Sequence, residues 1–103
     1  MKDKKKLALK AKGYNVGSAN EFLGLTKEES EFVEMKLALA KGLEKVRKRK
    51  KMTQVQLAKR IDSSQSRVAK MEAGDPSVSF DLLIKTVLAL GTDRKTVARM
   101  MAP

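Results

Sequence analysis

Gln65, Ser66, Arg67 and Lys70 fall within six consecutive positions and carry the most specific chemistry in this chain. A glutamine amide can donate to N7 of an adenine while accepting from its N6 amino group. An arginine guanidinium can donate two parallel bonds to O6 and N7 of a guanine. A serine hydroxyl bonds to several bases, and Lys70, one helical turn beyond Ser66, can reach a base or a phosphate. The chemistry of catalysis is sparse by comparison. The chain contains no His and no Cys, which removes the usual general base, thiol nucleophile and zinc ligands, and with them any disulfide. No glycine-rich phosphate loop joins a strand to a helix, and the carboxylates are scattered or stand at helix starts. The residues point to a binding protein, not an enzyme, with no metal and no cofactor.

The elements that must position those four side chains lie in Met52 to Gly74, MTQVQLAKRIDSSQSRVAKMEAG. This stretch reads as two short helices joined by a tight turn. Thr53 is placed to cap the first, and Gln56 three positions on completes a Thr-x-x-Gln capping box. Leu57, Ala58 and Ile61 then share one helical face. Ala58 is small, as two steeply crossing helices require at their contact. Asp62-Ser63-Ser64 breaks the pattern, and Ser64 is a good cap for a second helix. That helix turns Val68 and Met71 inward and leaves Gln65, Ser66, Arg67 and Lys70 outward. Gly74 ends it in the left-handed conformation that glycine adopts at little cost.

Charge supports a polyanionic partner. The net charge is +11 and the isoelectric point near 10.1, and counterion release drives such a surface onto nucleic acid. Six of the seven residues from 45 to 51 are basic: Lys45, Arg47, Lys48, Arg49, Lys50 and Lys51. Lys2, Lys4, Lys5, Lys6, Lys10 and Lys12 crowd the other end. A basic run by itself also suits a targeting signal, a membrane surface, RNA or a plain solvated face. Beside two helices of this kind the DNA reading is favoured, and the run adds affinity without sequence choice. Neither a secretory signal nor an apolar run approaching about 18 residues is present, so a cytoplasmic protein with no membrane role is expected.

The length allows one modest core. Residues 1–12 read as a lysine-rich arm that tracks phosphates, docks on a partner or takes no part. Ser18-Ala19-Asn20-Glu21 is a second capping box, opening a short turn that offers Phe22, Leu23 and Leu25 to a core. Thr26-Lys27-Glu28-Glu29 is a third, opening a helix from about Lys27 to near Lys50. Phe32, Met35, Leu39, Leu43 and Val46 make one apolar stripe on it, and Val33, Leu37 and Ala40 an adjacent one. So wide a face must meet the N-terminal segment, a second copy of the chain or another protein. Gly42 costs about 1 kcal/mol against Ala in mid-helix, which marks a close approach. Asp75-Pro76-Ser77 is a turn, and Ser79 caps a helix from about Phe80 to Leu90. Its inner stripe is Leu83, Val87 and Leu90, with Ile84 and Leu88 flanking. Gly91 ends it, and Thr92 or Asp93 starts a last helix that faces Val97, Met100 and Met101 inward. The methionines are core filler.

The Met52–Gly74 stretch resembles, without a gap, the helix-turn-helix of the xenobiotic-response-element (XRE) and phage-repressor family. Thr53-Gln54 stands at the opening of the family's second helix, Leu57-Ala58 at its packing pair, and Gln65-Ser66 at the opening of the recognition helix. Met71-Glu72-Ala73-Gly74 matches the family's closing pattern. Asp62 replaces the glycine favoured in the turn, and Asp tolerates positive φ. Ala73 replaces an Asn found in some repressors, which puts one phosphate contact in doubt. The resemblance implies an all-α, compact five-helix lambda-repressor-like DNA-binding domain over residues 26–103, with residues 1–25 as a basic arm and short helical turn. It implies base contacts from Gln65, Ser66, Arg67 and Lys70, and phosphate contacts from Lys51, Thr53 with its backbone N–H, Gln54 and Ser64. It also implies a structural ion pair between Arg47 and Glu72.

Outside the motif, SANEFLGL, LALAKGLEKVRKRK and SVSFDLLIKTVLALG resemble HigA-type antitoxins and their XRE relatives over roughly residues 13 to 102. What this implies is a transcriptional repressor that binds a palindromic operator in double-stranded DNA as a homodimer. The resemblance also implies repression of its own operon and, as in many such proteins, neutralisation of a RelE-like toxin in a toxin-antitoxin pair. A phage-type repressor without a toxin, and an interaction module using the helix-turn-helix only as scaffold, are the alternatives.

Overall fold

Thr26 begins the first helix by a reciprocal exchange: its N–H donates to Glu29 Oε1 at 2.9 Å, and its Oγ1 accepts from the Glu29 N–H at 3.0 Å. Two otherwise unpaired groups are satisfied at once. The helix that follows, α1, spans Lys27–Arg49. Glu28 and Glu29 lie in its first turn and Arg47, Lys48 and Arg49 in its last, each sign opposing the helix dipole there. The computed structural model describes residues 24–102. The lysine arm, the Ser18–Glu21 capping box and the apolar pair Phe22 and Leu23 lie outside the described residues.

Four more helices follow: α2 (Gln54–Arg60), α3 (Gln65–Ala73), α4 (Phe80–Ala89) and α5 (Arg94–Met101). Among the described residues there is no strand. Every one of these four has a side-chain N-cap: Thr53, Ser64, Ser79 and Asp93. The connections are short because the sharp bends use left-handed backbone. Gly74, at φ 70°, closes α3 and Asp62, at φ 55°, turns the chain between α2 and α3. Lys51 also sits at φ 58°, a position the sequence did not mark.

The chain divides into two units, residues 1–34 and 35–103. The core of the second unit draws Leu39, Leu43 and Val46 from α1, Leu57 and Ala58 from α2, and Val68 and Met71 from α3. Val78, Leu83, Val87, Leu90 and Val97 complete it, with Met100 and Met101 partly buried against it. The stripe predicted from Phe32 to Val46 is thus buried only from Leu39 onward. Phe32 belongs to the other unit and is 49% exposed. In the adjacent stripe Ala40 is buried, and Leu37 lies where a Cβ on Gly74 would come within 2.6 Å of its Cδ2. Leu88, expected at the edge of the α4 stripe, is exposed. Gly42 is a close approach: a Cβ there would stand 2.6 Å from Met100 Sδ. The result is two helices, α2 and α3, packed directly on one another over a shared core, with α4 against α5.

Candidate nucleic-acid interface

α3 is held from beneath by Val68 and Met71, both fully buried, three residues apart on one face. That leaves the opposite side in water: Gln65, Ser66, Arg67 and Lys70 are all exposed. Ser64 caps the helix, its Oγ accepting from the Arg67 N–H at 3.1 Å. The capping bond uses an acceptor of the hydroxyl and leaves its hydrogen for another partner.

A chain of charged and polar side chains runs from α1 to the first residue of α3. Arg47 Nε donates to Glu72 Oε2 at 2.6 Å and its Nη2 to Glu72 Oε1 at 3.0 Å, a bidentate pair. The side chains are 9% and 5% exposed, so the pair is largely withdrawn from water. Arg47 Nη1 also donates to the Met52 carbonyl at 2.8 Å, which ties the α1–α2 connection to the same guanidinium. Hydrogen bonding to Glu72 pushes the Arg47 pKa above its ordinary value, burial opposes this, and the charges of Glu72 and Glu44 add to the rise. Glu72 Oε1 accepts a further bond from Gln54 Nε2 at 3.0 Å. Gln54 Oε1 in turn accepts from Gln65 Nε2 at 2.7 Å.

The carboxylate sets the polarity of the whole chain. Ionised Glu72 can only accept, so Gln54 must turn its amide nitrogen toward it and its oxygen toward Gln65. Gln65 must therefore present its own nitrogen to Gln54. One Nε2 hydrogen of Gln65 is used, and the second remains together with the whole of Oε1. Those are the two groups that a bidentate pair with adenine needs. Gln54 keeps a second Nε2 hydrogen for another acceptor.

The expected phosphate contacts are placed less uniformly. The Thr53 N–H donates to Gln56 Oε1 at 2.8 Å, and Thr53 Oγ1 accepts from the Gln56 N–H at 3.0 Å. The capping box has taken the N–H that the resemblance places near phosphate, which leaves Thr53 its hydroxyl hydrogen. Lys51 does not join the α3 side chains. It lines a shallow cleft with Lys50, Met52, Gln56 and Arg60. The basic run from 45 to 51 is split by its helical spacing: Arg47 points inward to Glu72, and Lys48 reaches Glu44 at 3.1 Å. Charge count in the sequence concealed this division. Arg60 joins this cleft without belonging to the basic run, and its spacing of four from Gln56 places the two on one face of α2.

Among the described residues no group of three or more acidic side chains could hold a metal ion, and no helix is long and apolar enough to cross a membrane. A family model described as helix-turn-helix matches residues 43–99, from the second half of α1 to within α5. No curated protein and no solved structure matches the chain.

Proposed function

The chain belongs to the XRE-type helix-turn-helix family of DNA-binding transcription regulators, and we propose that it acts as a sequence-specific repressor, gripping a palindromic operator in double-stranded DNA as a homodimer. The observation that carries this reading is the state of Gln65. It is exposed, fixed through Gln54 and Glu72, and retains one amide hydrogen and its carbonyl oxygen for a base. Arg67, also exposed, supplies a guanine-reading fork, with Ser66 and Lys70 completing the base-facing set. Lys51, the Thr53 and Ser64 hydroxyls and the spare Gln54 hydrogen hold phosphates and fix the register. One recognition helix spans only a few base pairs, so useful specificity requires two operator half-sites about 34–36 Å apart, one for each protomer. Selection from random duplexes, followed by band shifts against a scrambled control, tests this. Recovery of an inverted repeat supports it, and recovery of no common sequence counts against it.

The finer role we propose is that of an antitoxin that represses its own operon and neutralises a RelE-like toxin. Support comes from the resemblance of the segments outside the motif to HigA-type antitoxins. Co-expression with a small toxin-like reading frame next to this one provides the test. Rescue of growth and co-purification support the role. A toxic neighbour that this chain neither binds nor silences leaves a repressor without a toxin.

A further inference from the structure

The cleft between the end of α1 and the outer face of α2 collects three cations with nothing to balance them. Lys50, Lys51 and Arg60 line it with Met52 and Gln56, and no carboxylate is among its walls. All three are exposed, and none forms an ion pair with another described residue. Arg60 spends a single long bond, Nη2 to the Ala89 carbonyl at 3.4 Å, which leaves most of its donors open. Of the neighbouring cations on α1, Arg47 is paired with Glu72 and Lys48 with Glu44. Like charges gathered around one hollow repel each other until an anion enters.

Lys51 holds left-handed backbone at φ 58° because it closes α1: its N–H donates to the Lys48 carbonyl at 2.9 Å and the Met52 N–H to the Arg47 carbonyl at 3.1 Å. The residue at that turn carries a side chain that lines the basic cleft.

We propose that this cleft extends the Lys51 phosphate contact into a second phosphate-binding locus, away from the base-facing side chains of α3, whose ligand is the backbone of duplex DNA flanking the base pairs addressed by α3. The proposal rests on α3 being the recognition helix. Gln54 faces α3 through its bond to Gln65. At about 100° per residue, Gln56 and Arg60 lie about 200° and 240° further round α2, on the side turned away from α3. A phosphate in the cleft therefore belongs to sequence outside the half-site core, and the contact lengthens the footprint without selecting bases.

The test compares wild type, Lys50→Gln/Arg60→Gln and Gln65→Ala on two duplexes of equal length, the selected operator and a scrambled sequence, across a salt series. Thermal unfolding of each variant verifies that it is folded. The expected result is that Lys50→Gln/Arg60→Gln weakens both duplexes by the same factor, with a log–log salt slope shallower by about 1–2, while Gln65→Ala weakens only the operator. Trimming the flanks of the operator should weaken wild type and leave the double variant unchanged. Unaltered affinity and slope in the double variant would overturn the cleft assignment. A wild type without operator preference, but with the double variant weaker on both duplexes, would overturn the recognition reading and retain the cleft. Inorganic phosphate, titrated against chloride at constant ionic strength, separates the sources. Saturable stabilisation of wild type, lost in the double variant, would make the cleft a free-anion site and overturn the DNA assignment.

Discussion

Gln65 Nε2 lies 2.7 Å from Gln54 Oε1, and this bond decides which polar atoms Gln65 has left for a base. The direction of the bond is set in turn by Glu72, which accepts from Gln54 Nε2 at 3.0 Å. A buried salt bridge thus reaches the exposed side of α3 through one amide side chain.

Gln54→Ala removes that intermediate and frees Gln65 to rotate. Operator affinity should fall, and discrimination at the base read by Gln65 should drop by about 1 kcal/mol, the worth of one hydrogen bond. Gln65→Ala should cost about 1–3 kcal/mol at the same base. Because both act on one contact, the double variant should lose much less than the sum. Competition binding with operators substituted at single positions measures all three, and additive losses would count against the coupling.

Glu72→Ala strands the Arg47 guanidinium, which is 7% exposed as a residue, without its carboxylate. An uncompensated buried charge costs about 3–5 kcal/mol. The variant should show that loss in urea unfolding, before any change in base choice is seen. A denaturation curve superimposing on that of wild type would remove the ion pair from the account.

Gly42→Ala should destabilise, against the gain of about 1 kcal/mol that alanine brings to a helix interior. The added Cβ would stand 2.6 Å from Met100 Sδ and 2.9 Å from its Cγ. Overpacking of this kind costs about 1–3 kcal/mol. Placing the same change in a Met100→Ala background removes the Sδ and Cγ contacts and leaves only the Cβ at 3.3 Å, so there the cost should be smaller. Urea midpoints of the four proteins give the sign directly, and a stabilised single variant would mean that Met100 moves aside freely.

Asp93 caps α5, and the Thr96 N–H at 2.9 Å, with a smaller part from the Thr96 hydroxyl, holds its carboxyl below the ordinary value. Asp75 is lowered as well, by the Ser77 hydroxyl first and then the Ser77 N–H. A depressed folded pKa contributes stability that is complete above the unfolded value, about 3.9. It is lost as pH falls through the folded one. Asp93→Asn keeps a good cap but cannot titrate. Melting temperatures measured from neutral pH down to about 3 should show a shallower acid limb in this variant. Parallel limbs would deny Asp93 a part in acid unfolding.

The sequence was most readable where one residue type has one local use. Thr53, Gln56, Ser64 and Ser79 are capping residues because their oxygens answer adjacent backbone N–H groups, and the structure places each at a helix start. Gly74 and Asp62 mark turns for an equally local reason, their tolerance of positive φ. Periodicity told which face of α3 is buried, but not how far along α1 the core extends. The burial of Phe32 depends on what lies across from it, which no spacing within α1 records. The orientation of Gln65 was hidden for the same reason: it follows from a carboxylate seven residues away that reaches it only through Gln54. The family resemblance marks Lys51 as a phosphate ligand, yet nothing in the run from 45 to 51 tells that its backbone is left-handed or that Arg60 joins it.

The central claim is that the outward tips of α3 choose bases. Its most direct test is the affinity of the purified full chain for the selected operator, set against a scrambled duplex of the same length at one physiological salt concentration. The account predicts a preference of about a thousandfold or more. Equal affinities for the two duplexes would contradict it.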